Sequence, residues 1–347
     1  MSLELSVFVI LWLASLTASI VGTLLLVGRR SMVCEGISHA MLPGIAIAFW
    51  FVGTQYSPWL WVSAAIGGVL MVVLTAGVAN TRRVDPDAAL GIVFSAMFSI
   101  GVLFIARALA GTSFHAECAI EGNATLAALD RVEFAGRDLG PRAMWSLLVA
   151  LALVIGATIA AYKEMKLMLF DKLLARRFNY RPRLLEAIWM SAVSLVTVIA
   201  FEVAGAVLIV GLMIAPAAAA SLCTDRLGRL FWVAAAIATV ASITGMFLAL
   251  RLDISPAGPT ASSAGLLFVV AMIFAPNQGW IARSIRESRA RRQIASDLVA
   301  DTRRRLGLRS TASETKPLSA EESQRVAERL GWTIQQVRRA TATRSRR

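Results

Sequence analysis

The chain has 347 residues, of which 57% are hydrophobic and 16% charged, and a net charge of +13. Soluble domains interleave apolar residues with charge; here the apolar residues come in blocks, and a mean hydropathy of +0.67 excludes a water-soluble globular protein. The positive charge is local: residues 281–347 hold 17 basic and 7 acidic side chains, so the basic balance describes a tail and excludes a nucleic-acid-binding core.

No Asp, Glu, Lys or Arg occurs in 5–28, 40–81, 88–106, 143–162, 187–201, 203–224, 230–250 or 254–282. A helix needs about 20 apolar residues to cross about 30 Å of hydrocarbon, so the blocks predict an all-α, polytopic membrane bundle. The first block is too long for a cleaved signal peptide and runs into Arg29–Arg30 instead of a small-residue cleavage site.

The second span opens on CEGISHAMLPGIAIAFW (34–50). Glu35 and His39 are four residues apart and share one helix face. A carboxylate and an imidazole together suit zinc, manganese or iron. Glu35 falls in the first turn, where the helix dipole favours an anion. Pro43 cannot donate to the carbonyl of His39, so a backbone oxygen is freed beside the ring and requires protein or a wet cavity. The plainer alternatives are an interfacial carboxylate and a histidine bonded to a neighbouring helix. Two ligands are too few for a tight site, which suits transient passage or completion by another chain.

GTQYSPW (53–59) breaks the 40–81 block into two spans. After 88–106 comes an insertion, 109–142, carrying His115, Glu117, Cys118 and Glu121; their spacing matches no standard metal site. The segment 162–186 is a basic insertion, and LFDKLLARRF within it sets Leu169, Phe170, Leu173 and Leu174 beside charges. Between Arg183 and Arg226 two short or broken helices are expected, meeting near Glu202 in EVAG (202–205). An acid at such a junction marks a pathway or is merely solvated at the interface. The second of these helices holds Pro216, a further kink, and the small-residue run PAAAAS (216–221), suited to close packing. Asp253, before ISPAGP, belongs to a loop and is a candidate for an outer gate. Cys34, Cys118 and Cys223 show no C-x-x-C spacing and predict no disulfide framework.

Basic residues mark the cytoplasmic side. The groups at Arg29/Arg30, Arg82/Arg83, Lys163–Arg183, Arg226/Arg229 and after Arg283 then give about nine spans, with the N-terminus outside and the C-terminus inside; eight spans would misplace one basic group. Residues 1–280 form the membrane domain and 281–347 a basic cytoplasmic tail. In the tail, RSIRESRARRQIASDLVADTRRRLGLR predicts an amphipathic helix and 318–340 two short helices around Gly331. Ala327, Gly331 and Val337 stand as in a helix-turn-helix, but no wing follows; specific DNA binding is not expected, and the basic residues suit a regulatory tail facing anionic lipid or a partner ATPase.

RRSMVCEGISHAMLPGIAIAF (29–49) resembles the permease subunits of bacterial ABC importers for zinc, manganese and iron, with Glu35 where Asp is commoner and Cys34 where Gly is usual. DAALGIVFSAMFSIGVLF (87–104), KLMLFDKLLARRFNY (166–180) and VAGAVLIVGLMIAPAAAASLCTDRL (203–227) are similar to three further stretches of that family, in order over about 250 residues. The resemblance implies an inner-membrane permease with Glu35 and His39 on the metal path. It also implies a coupling segment, about 164–183, in which Phe170, Asp171 and Ala175 meet the ATPase. No permanently bound cofactor is expected; the metal is cargo. The partners implied are a cytoplasmic ABC ATPase, an extracytoplasmic solute-binding protein and a second permease chain, either a copy or a relative. No Walker A motif occurs: lysine stands only at 163, 166, 172 and 316. The rival functions are an importer of a metal chelate or vitamin, a secondary metal transporter, and a membrane-anchored regulator.

Overall fold

A computed structural model describes residues 2–53, 57–108, 124–134, 137–170, 182–276, 278–306, 318–337 and 340. The chain divides into two compact units, Met1–Met272 and Ile273–Arg347.

In the first unit the helices run in chain order as α1 (Leu3–Val27), α2 (Met32–Val52), α3 (Pro58–Asn80), α4 (Pro86–Ala108), α5 (Ala124–Leu129), α6 (Arg142–Ala160), α7 (Tyr162–Phe170), α8 (Pro182–Ala204), α9 (Ala206–Cys223), α10 (Leu227–Leu252) and α11 (Ala257–Phe274). Among the described residues, seven helices (α1, α2, α3, α4, α6, α10 and α11) are long and apolar enough to cross a membrane, and α9 carries a shorter apolar helix, Leu208–Cys223. The all-α expectation needs one addition. The insertion after α4 contains an antiparallel hairpin, β1 (Arg131–Phe134) with β2 (Arg137–Pro141), whose register shifts between Arg131 and Glu133. Strands of four and five residues leave too short an alternation to separate from loop sequence.

Arginines punctuate the connections. Arg29 and Arg82 take left-handed backbone conformations (φ 56° and 58°) after α1 and α3, and Ser57 caps α3 ahead of Pro58. The break after Val52 falls inside GTQYSPW, at the left-handed Gly53.

The centre is α1. Of its most apolar stretch 72% is buried, against 17% for α11, and it touches α5, α6, α8, α9 and α10. Apolar side chains gain nothing by leaving lipid for protein, so close packing and interhelical hydrogen bonds must hold such a helix. Both are present. Gly22 lies so near α9 that a Cβ there would overlap the Met213 carbonyl. The Ser242 hydroxyl bonds Ser15 Oγ at 2.8 Å, and Trp12 Nε1 donates to Thr239 Oγ1 at 3.1 Å. The Cys34 thiol reaches Met213 Sδ at 2.8 Å, so α1, α2 and α9 meet around Met213.

The helix break expected near Glu202 lies three residues later. Gly205, buried, adopts φ 76° and ψ 160° between α8 and α9, a region only glycine enters without strain. Gly205 N–H still bonds the Phe201 carbonyl (2.9 Å), and its own carbonyl accepts from Ile209 N–H (3.2 Å).

In the second unit, α12 (Trp280–Arg305) is followed by α13 (Ala320–Leu330). Ser319 and Glu322 form a reciprocal capping box at the start of α13, and Gly331 closes it in the left-handed conformation. Thr333 and Gln336 repeat the box ahead of helical residues 334–337. Val299, Val326, Ala327, Val337 and Ala340 form one small core.

Replacing Gly205 by Ala should strain the α8–α9 joint and lower stability by about 1–3 kcal/mol. Thermal unfolding in detergent checks this; an unchanged melting temperature would mean that the turn tolerates a side chain.

Candidate functional site

The site is built on α2, and α2 is held by glycine. A Cβ on Gly44 would overlap the Ser63 carbonyl of α3, and one on Gly67 of α3 would stand 2.8 Å from the Ala40 carbonyl. On the other side a Cβ on Gly101 of α4 would lie 2.8 Å from Pro43 N. Three glycines thus let α3 and α4 approach the α2 backbone itself, within a distance real side chains forbid. The pairs Ala40–Gly67 and Gly44–Ser63 make α3 antiparallel to α2. Gly36–Leu90, Pro43–Gly101 and Trp50–Phe104 make α4 parallel to it.

Glu35 is exposed, in the first turn of α2, and His39 one turn later is half-buried. The imidazole stacks on Phe94 (centroids 5.7 Å, interplanar 22°) and meets Phe98 edge to face (5.1 Å, 80°). Phe94 and Phe98, four residues apart on α4, fix the ring plane. Ring faces of this kind also attract a cation brought beside them. Pro43 is buried within the same helix and leaves the His39 carbonyl without its usual donor. Pro216, buried within α9, does the same for the carbonyl of Leu212. Beside Glu35, Cys34 is fully buried on Met213, which pins the first turn of α2 to α9.

The remaining sequence candidates do not gather here. Glu202 lies in the last turn of α8, three residues before Gly205. Asp253 is exposed and caps α10 with a left-handed backbone (φ 54°), its N–H on the Ala249 carbonyl. Among the described residues no three of His, Cys, Asp and Glu form a cluster that could hold a metal ion. Phe170 is the last residue of α7, whereas Asp171 and Ala175 lie outside the described residues, as do His115, Glu117, Cys118 and Glu121.

Sequence reasoning missed Phe94, Phe98 and Gly101. The signal available was the stretch FSAMFSIG (94–101), in which Phe, Phe and Gly recur at spacings of four and three and so share a helix face.

Membrane-length helices packed backbone to backbone around kinked and interrupted segments define a polytopic membrane protein. Residues 3–275 match the ABC 3 transport family, and the chain belongs to that family. It is 32% identical over 274 residues to the manganese transport system membrane protein MntD of Bacillus subtilis, covering 79% of this chain and 92% of the relative. It is 33% identical over 286 residues to the zinc transport system membrane protein TroD of Treponema pallidum, covering 82% of this chain and 77% of the relative. In fold it matches PsaBC from Streptococcus pneumoniae, solved in complex with Fab, with a TM-score of 0.68, 22% identity, and coverage of 82% of this chain and 96% of that one.

Gly101→Val should force α4 away from Pro43 and cost about 1–3 kcal/mol of stability, with loss of the Phe94–His39 stacking. A melting temperature equal to wild type would show that α2 and α4 are free to separate.

Proposed function

We propose that this chain is the permease subunit of an ATP-driven importer of divalent manganese, zinc or iron. The cation passes the Glu35–His39 face of α2, at a seam between this chain and a second permease subunit. The single observation that carries the reading is the pairing of an exposed carboxylate with a half-buried, ring-clamped imidazole, one turn apart on a membrane-length helix. Ionisable groups on membrane-spanning helices are costly and mark ion pathways. Oxygen and imidazole ligands suit these three metals. A path must bind strongly enough to admit an ion and weakly enough to release it, and two side chains with one freed carbonyl meet that requirement. The manganese and zinc systems named for the relatives support the same cargo.

The energy comes from a separate cytoplasmic ABC ATPase, which engages the segment around Phe170, Asp171 and Ala175. A solute-binding protein delivers the metal from outside. The basic groups put the N-terminus outside and the C-terminal tail in the cytoplasm of an inner-membrane protein of nine spans, with α8 and α9 counted as two. Glu202 and Asp253, near the ends of α8 and α10, then stand towards the outer side, where they meet the incoming cation. No permanently bound cofactor takes part.

Uptake of radioactive manganese and zinc by the reconstituted importer tests this. Glu35→Gln and His39→Ala should each lower uptake about ten-fold or more, with the complex assembled as in wild type. Wild-type uptake in the double variant would remove the path from α2. Separately, Asp171→Ala should leave ATP hydrolysis running without uptake; tight coupling in that variant would move the ATPase contact elsewhere.

A further inference from the structure

The tail unit carries a surface that lies outside the path proposed above. Along α12, residues 281, 285, 288, 292, 295, 299 and 302 recur at alternating spacings of four and three, so they form one stripe. Its two ends are covered differently. Val299 is 3% exposed and Thr302 8%, and Val299 packs with Val326, Ala327, Val337 and Ala340. At the other end Ile281 is 42% exposed and Ile285 48%, with Trp280 beside them at 73%. Arg283, Arg286 and Arg291 are exposed alongside. Residues 280–292 contain five arginines and a single acid, Glu287.

This half-helix starts just beyond Phe274, the last residue of α11. The joint is tight. Gly279 N–H bonds the Ala275 carbonyl at 3.0 Å, and a Cβ on Gly279 would overlap the Ala275 backbone. Arg286 Nη2 reaches back to the Pro276 carbonyl at 2.9 Å. Trp280 to Arg286 is therefore fastened to Ala275 and Pro276, the residues that follow α11 in the chain.

Exposed tryptophan and isoleucine interleaved with arginine, at the edge of hydrocarbon, is the composition of a helix lying in the membrane interface. We infer that Trp280–Arg292 binds anionic phospholipid headgroups where α11 leaves the bilayer and thereby tethers the tail unit to the membrane surface. Trp280, Ile281 and Ile285 enter the boundary between headgroups and acyl chains, and the arginines interleaved with them round the helix reach phosphate on their long side chains. A nucleic acid would engage the arginines alone and leave those three side chains in water, so the lipid surface accounts for more of the helix.

Hydrogen exchange of the assembled, full-length importer tests the inference, in nanodiscs of phosphatidylcholine alone or mixed with phosphatidylglycerol. Amides of 280–292 should exchange several-fold more slowly in the anionic discs, and added salt should erase the difference. Arg283→Gln and Arg291→Gln should each weaken the attachment about five-fold, about 1 kcal/mol per arginine. Unchanged protection of α13 would show that the tail unit still folds. Equal exchange in both lipids would overturn the inference, and so would slowing that appears in neutral discs only on adding the ATPase or duplex DNA.

Discussion

The arrangement depends on how closely α3 and α4 approach the backbone of α2. Lipid offers apolar side chains as good an environment as protein does, so a bundle in hydrocarbon is held by contact distance and by the few polar bonds it makes across helices. Gly44, Gly67 and Gly101 supply that distance on both flanks of α2. The proline they enclose is the one that strips a hydrogen bond from His39. The same packing brings Phe94 and Phe98 against the imidazole. A polar group is thereby held in one orientation beside a carbonyl whose helical donor Pro43 removes, in a region where unpaired groups are expensive. The opening turn of α2 is set by a different contact, Cys34 on Met213, and Met213 in turn lies against Gly22 of α1. Glu35 is thus positioned from the centre of the bundle, and His39 from its flank.

Much of this was legible in the sequence, for physical reasons. Charge-free blocks report spans directly because charge in hydrocarbon is costly. GTQYSPW declared the break between α2 and α3 by composition; that Ser57 caps α3 ahead of Pro58 came from the structure. EVAG announced the break between α8 and α9. Within it the conformational work is done by Gly205 at positive φ, three residues after the acid. Glu35 and His39 could be put on one face from spacing alone. Their surroundings could not: Phe94 and Phe98 come from another helix, and which helix lies beside α2 is decided by tertiary packing that periodicity does not encode. The hairpin of β1 and β2 was missed because its strands are too short to show alternation.

The tail follows a different logic from the bundle. Its small core is made by a few aliphatic residues, and its helix ends are secured by side-chain caps at Ser319 and Thr333 and by Gly331. These are devices of a water-exposed module, where the helix termini have solvent and side chains to satisfy them. The bundle instead hides its polar hydroxyls by turning them back on its own carbonyls, as Ser15, Thr17 and Thr23 do within α1. One chain therefore folds by two sets of rules, separated near the end of α11.

The central claim is that a divalent cation meets the imidazole of His39 on its way through. The chain has two histidines, His39 and His115, which makes a spectroscopic test tractable. Electron–nuclear double resonance on manganese trapped in the reconstituted importer, with the permease grown on nitrogen-15 histidine, reads ligand nitrogens directly. The account predicts a nitrogen-15 coupling that disappears in His39→Ala and persists in His115→Ala. A coupling indifferent to His39→Ala would contradict it.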